Sequence, residues 1–156
     1  MKLRAGGTLA LVIGRKARRV RELDALEYLF GYTLAIDVSV PEWSYFRPAV
    51  KQRCRDGFCP VGPRIFPVSA FPDPRAITIR ISVNGNLACV ASTSTLIRSV
   101  PRLLADVTEF MTLNPGDMLL VGEPFNSPLV GPGDVVRVEI PGIGALENPV
   151  VAEVAP

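Results

Sequence analysis

The chain has no histidine. That absence removes Ser–His and Cys–His nucleophilic machinery together with every imidazole metal ligand. Cysteine is scarce: Cys54, Cys59 and Cys89 form an odd set with no CxxC pair. Such a set suits neither a disulfide framework nor a structural zinc site, and it fits the reducing cytoplasm. Strong charge of one sign is also lacking. A formal net charge of +2 provides no strong field for nucleic acid or a membrane surface. No stretch approaches the ~18 apolar residues of a membrane span. Lys2 and Arg4 followed by Leu9 to Ile13 imitate a secretory signal, but Arg15-Lys16-Ala17-Arg18-Arg19 follows at once with no small-residue cleavage site. What remains for chemistry is carboxylates, Lys and Arg, hydroxyls, backbone dipoles or a borrowed cofactor.

Apolar residues make up 48% of the 156, enough for a core that buries roughly 70% of the surface of the unfolded chain. The length fits one domain, residues 1–156. Thr8 to Ile13 is an apolar run ended by Gly14, as expected of a buried strand. Glu22 to Phe30 places Leu23, Leu26, Leu29 and Phe30 at helical spacing, with Gly31 as a C-terminal stop. Tyr32 to Ser39 reads as a strand carrying one acid, Asp37. Residues 40–76 are rich in proline, from Pro41 to Pro74, and read as a long irregular excursion.

Ile77 to Val83, the turn Asn84-Gly85 and Leu87 to Ala91 form a hairpin pattern. Ser99 is positioned to cap a helix with Pro101 in its first turn, and Val100, Leu103, Leu104, Val107, Phe110 and Met111 form its apolar stripe. Two similar turns follow: Asn114-Pro115-Gly116-Asp117 before Met118 to Val121, and Gly131-Pro132-Gly133-Asp134 before Val135 to Ile140. Pro then Gly suits the centre of a type II turn. Ala145 to Val154 reads as a last strand. These elements predict a β-rich α+β fold, a mixed roll or sandwich with two short helices at its edge.

Two places carry candidate chemistry. A carboxylate in the apolar strand around Asp37 is costly to bury unless it pairs or faces a cation, so Asp37 either caps or pairs locally or serves a site. The stretch from Pro41 to Pro60 interleaves Arg47, Lys51, Arg53 and Arg55 with Trp43, Tyr45, Phe46 and Phe58. Such a segment could stack on RNA, grip the carboxylates of a small di-acid or lie solvated as a loop. The low net charge counts against nucleic acid, and Arg15 to Arg21 reads as a solvated turn.

Several motifs occur in order along the chain: Leu9-Ala10-Leu11-Val12-Ile13-Gly14, Gly31 to Ser39, Arg55-Asp56-Gly57-Phe58-Cys59-Pro60-Val61-Gly62-Pro63, Val83-Asn84-Gly85, Phe110 to Asp117 and Leu146 to Val151. Together they resemble the fumarylacetoacetate hydrolase family over nearly the whole chain. Within it, Tyr45-Phe46-Arg47-Pro48 to Cys59-Pro60 is most similar to the N-terminal half of members that isomerise and decarboxylate ring-cleavage products of 4-hydroxyphenylacetate. The resemblance implies a 2-hydroxyhepta-2,4-diene-1,7-dioate isomerase and 5-carboxymethyl-2-oxo-hex-3-ene-1,7-dioate decarboxylase activity. It also implies a divalent cation, usually Mg2+, that acts as a Lewis acid on the substrate's α-keto acid.

The same resemblance assigns Asp37 as the metal-side acid. Arg53 falls at the family's active-site Lys, with Lys51 nearby, so both are candidate catalytic groups. Tyr45, Arg47 and Arg53 are implied to bind substrate. The family's two Glu ligands fall on Gly6 and Thr8, and its Gly-Thr-Pro loop reads Gly122-Glu123-Pro124, where Glu123 is a substitute ligand to weigh. One carboxylate rarely holds a labile divalent ion. The expectation is therefore a homodimer, or a hetero-oligomer with a C-terminal-type homologue that carries the metal, in a chain that begins almost at its first strand without the family's usual N-terminal segment. A degenerate packing partner, an acylpyruvate hydrolase and an oxaloacetate tautomerase are the alternatives.

Overall fold

The computed structural model describes residues 2–41, 48–71 and 73–153. The apolar run opens the fold as β1 (Leu3–Ile13), and β2 (Leu29–Ser39) returns antiparallel beside it, with Leu11 opposite Tyr32 and Gly6 opposite Asp37. Outside β2 runs β3 (Val61–Pro67), while β6 (Met118–Leu120) and β7 (Leu129–Val130) both pair with the other edge of β1. A second sheet has the order β5 (Asn86–Ser92), β4 (Thr78–Val83), β8 (Val135–Ile140) and β9 (Gly144–Pro149). The two sheets face each other over Leu9, Leu11, Tyr32, Leu34, Ile81 and Val138, all fully buried. They approach so closely that a Cβ on Gly7 would sit 2.8 Å from both Ile81 and Val138. The architecture is the β-rich α+β layering that the sequence predicts.

Several expected elements form for the expected reasons. Asn84 and Gly85 both have positive φ, 51° and 79°, as the tight turn between β4 and β5 requires. The two Pro-Gly-Asp turns are built alike. Gly116 and Gly133 have φ of 92° and 95°. Each Asp amide donates to the carbonyl three residues back, and each Asp carboxylate accepts from the amide of that same residue. Helix α2 (Val100–Phe110) starts at Ser99, whose hydroxyl accepts from the Arg102 amide at 3.3 Å. Its buried residues Val100 and Leu104 seat it at the edge of the core.

Other expectations need correction. The stretch read as a helix from Glu22 to Phe30 is a 3-10 turn, Glu22–Tyr28, that passes straight into β2. Ala25 faces the core there, and Leu23 and Phe30 are 95% and 62% exposed. Strand pairing along β1 overrides the helical spacing, a tertiary effect that local propensity does not register. Gly31 is therefore no helix stop. It lies buried where β3 presses on β2, and a Cβ would collide with the Phe66 carbonyl.

The proline-rich excursion is also more ordered than its composition suggests. It contains the short helix α1 (Val50–Arg53) and the edge strand β3, bounded by Pro60 and Pro67, the position where a sheet tolerates proline. The stripe of α2 stops short of Phe110 and Met111, which are 80% and 46% exposed. The final strand ends at Pro149, before the expected Val154.

Candidate functional site

Three distant pieces of chain meet on one face of the first sheet. Gly6 and Asp37 are register partners on β1 and β2, so their substituents project from the same side. The α1 turn is tied to the end of β2 by the Val40 amide donating to the Gln52 carbonyl at 2.9 Å. This tie brings Arg53 over Asp37. The loop after β6 is held against β1 by the Val121 amide donating to the Leu9 carbonyl at 3.1 Å, which delivers Glu123.

The Arg53 guanidinium bridges the two acids. Its Nη1 donates to Asp37 Oδ2 at 2.8 Å and its Nη2 to Glu123 Oε1 at 3.0 Å. The acid side chains are 19% and 12% exposed, and that of Arg53 is 46% exposed. Burial lowers the Arg53 pKa, but the Asp37 charge and the bonds to both acids outweigh it, so the guanidinium sits above its ordinary value and stays charged. Glu123 also fills the space where position 6 has no side chain. A Cβ on Gly6 would collide with Glu123 Oε2 and lie 2.5 Å from its Cβ. That same Oε2 is buried without a hydrogen-bond partner among the described residues.

Of the residues singled out in the sequence, the structure gathers Gly6, Asp37, Arg53 and Glu123. Thr8 is fully buried opposite Ala35, two residues further along β1, and its hydroxyl donates to the Leu9 carbonyl. Lys51 lies in a helical turn, not in extended chain. Two positions are about 200° apart in a helix, so Lys51 still projects away from Arg53, and no carboxylate of the described residues lies within 4 Å of it. Its carbonyl accepts from Arg55 Nε at 2.7 Å. Tyr45 and Arg47 lie outside the described residues. In the basic run, Arg15 and Arg21 pair with Glu27 and Asp24 at exposed positions.

The sequence reading did not find two neighbours of the site. Burial, then the Asp37 charge, pushes the Cys59 thiol above its ordinary range. A cleft of about 560 Å3 opens beside Glu123, walled by Gly7, Ile79, Leu96, Leu103, Val121 and Phe125. Glu123 borders this cleft, whereas Asp37 and Arg53 do not line it. No short motif announces such a space, because its walls come from both sheets and α2.

Two facing β-sheets with a strand-borne aspartate and a guanidinium above it place a charged cluster on one face of a β-rich α+β fold. The chain belongs to the fumarylacetoacetate hydrolase family, matching the Fumarylacetoacetate (FAA) hydrolase C-terminal description over residues 1–151. It is 49% identical over 97% of its length to the 4-hydroxyphenylacetate degradation bifunctional isomerase/decarboxylase of Salmonella dublin, of which it covers 34%. The chain thus spans about a third of the curated relatives of this kind that it matches. Among solved structures it is similar to 5-carboxymethyl-2-hydroxymuconate delta-isomerase from Mycobacterium smegmatis, at 34% identity and a TM-score of 0.86, covering 98% of this chain and 60% of that one. Maleylpyruvate hydrolase from Sphingobium sp. SYK-6, solved with manganese(II) and pyruvate, is 33% identical with a TM-score of 0.87, covering 96% of this chain and 55% of that one.

A divalent cation thus occurs in the family, and the donor set of this chain can be tested for it. Among the described residues no three His, Cys, Asp or Glu side chains converge as a metal site. The two carboxylates that do converge each give an oxygen to Arg53. A divalent ion would need those oxygens at about 2.0–2.6 Å, where it would displace a guanidinium that is already paired. The described residues do not fit a resident metal.

Proposed function

We propose that this chain is the carboxylate-binding lobe of a 2-hydroxyhepta-2,4-diene-1,7-dioate isomerase and 5-carboxymethyl-2-oxo-hex-3-ene-1,7-dioate decarboxylase, working beside a second domain or subunit of the family that holds the divalent cation, Mg2+ or Mn2+. The observation that carries this reading is the Arg53 bridge. Asp37 and Glu123 use two of its five N–H groups. The half-exposed remainder has no further acceptor among the described residues and is directed to meet a substrate carboxylate, for which a guanidinium is suited. The bifunctional relatives give the substrate class. Arg47 and Tyr45 are proposed as further contacts to the di-acid, and Lys51 is assigned no proton transfer.

The test is an assay of both reactions with the chain alone and mixed with a metal-bearing family domain. Turnover is expected in the mixture only, and Arg47→Ala or Arg53→Lys should raise KM several-fold while the assembly stays intact. Robust metal-dependent decarboxylation by the isolated chain would overturn the requirement for a partner. An unchanged KM in both variants would favour the second reading, a packing partner without a working pocket, which the replacement of both Glu positions by Gly6 and Thr8 supports. Acylpyruvates and oxaloacetate belong in the same assay, because similar proteins include a maleylpyruvate hydrolase and oxaloacetate tautomerases.

A further inference from the structure

The acids at this site are arranged as though a cation belongs between them, and a side chain already provides one. Asp37 comes from a central strand and Glu123 from a loop 86 residues later, yet both point a carboxylate oxygen at one guanidinium. Glu123 occupies the volume left by the missing side chain at Gly6. One of its oxygens remains buried with no partner among the described residues, so the pair retains unmet acceptor capacity facing inward. Two partly buried carboxylates that share a site are stabilised by a positive charge between them; without one, repulsion favours uptake of a proton or a cation.

We propose that Arg53 is the resident cation of this site. It offsets one of the two negative charges of the Asp37–Glu123 pair and occupies an oxygen of each, and so keeps divalent ions out of this site; its removal turns the same two acids into a divalent-cation site. The physical basis is competition for the same oxygens. A guanidinium attached to the chain has no association entropy to lose, whereas a free ion must be captured from solution and partly dehydrated. Without the guanidinium, two facing carboxylates repel each other and bind a hard cation to relieve that repulsion.

Manganese(II) is the probe, because its electron paramagnetic resonance signal reports free ion directly and needs neither substrate nor partner. Wild type and Arg53→Lys should show no saturable binding at millimolar ion. Arg53→Met should bind saturably, at least about tenfold below the millimolar concentration at which wild type does not saturate, and adding Asp37→Asn should abolish that binding. Mn2+ should also raise the melting temperature of Arg53→Met but not that of wild type. Saturable, Asp37-dependent binding by wild type as tight as that of Arg53→Met would overturn the proposal, as would an Arg53→Met chain with native circular dichroism that gains no binding. If Arg53→Met folds only with Mn2+ present, the proposal is supported. If it does not fold at all, Arg53→Gln, which removes the charge but keeps a polar amide, is read against the same criteria. Catalytic failure of the proposed complex would leave these ion-binding outcomes unaffected.

Discussion

The two sheets of this protein obey different rules. In the β5-β4-β8-β9 sheet, burial alternates along β8: Val136, Val138 and Ile140 are buried, while Arg137 between them is exposed. One face packs and the other meets solvent, as antiparallel sheets commonly do. In the other sheet, β1 is buried without a break from Ala5 to Ile13, and β2 from Gly31 to Ile36. Both faces of these strands are covered, and the second face carries Gly6, Thr8, Thr33 and Ala35 in place of large hydrophobes. A strand spends packing surface this way where close approach or a polar group is needed. The acids and Arg53 gather on that face. The first sheet supplies the site, and the second supplies the core against which the site is held.

This contrast can be tested by substitution at glycine. The largest effect is expected at Gly6→Ala, where the new Cβ runs into Glu123. Overpacking of this kind should cost about 2 kcal/mol, measured by urea unfolding. Most of that cost should vanish in a Glu123→Gly background, because the colliding atoms are then gone. If Gly6→Ala is neutral, Glu123 does not occupy the space beside position 6. A smaller effect is expected in the turn feeding the second sheet. Gly133 has a φ of 95° and open space around it, so Gly133→Ala pays for backbone conformation alone, about 1 kcal/mol. Gly131→Ala, in open space without a positive φ, is the control and should stay within about 0.5 kcal/mol of wild type. Equal costs at the two positions would remove the conformational explanation.

Local chemistry is what the sequence makes legible. Asn84-Gly85, the paired Pro-Gly-Asp turns and the Ser99 cap depend on residues within four positions of one another, and each forms as its side chains dictate. Asp37 stands out because an acid interrupts an apolar run. The helical spacing of Leu23, Leu26 and Leu29 misleads, since β1 claims Leu29 and the residues after it for pairing. β3 is hidden by the prolines that an edge strand accepts. The pairing of Arg53 with Glu123 is 70 residues apart in sequence, and no periodicity encodes such a distance. The vacancy at Gly6 and the acid at Glu123 are each visible in the sequence, but only the register of β1, β2 and the loop after β6 shows that one fills the other.

The claim on which all of this depends is that Arg53 and Glu123 act on each other, and a double-mutant cycle measures that directly. Arg53→Met and Glu123→Gln, singly and together, are compared by urea unfolding at neutral pH and low salt. Because Arg53 is 46% exposed, solvent screening holds the expected coupling to about 1 kcal/mol, below the value for a fully buried pair. Arg53→Met should therefore cost about 1 kcal/mol more when Glu123 is present than in the Glu123→Gln background. Additivity of the two substitutions to within about 0.3 kcal/mol would contradict the bridge.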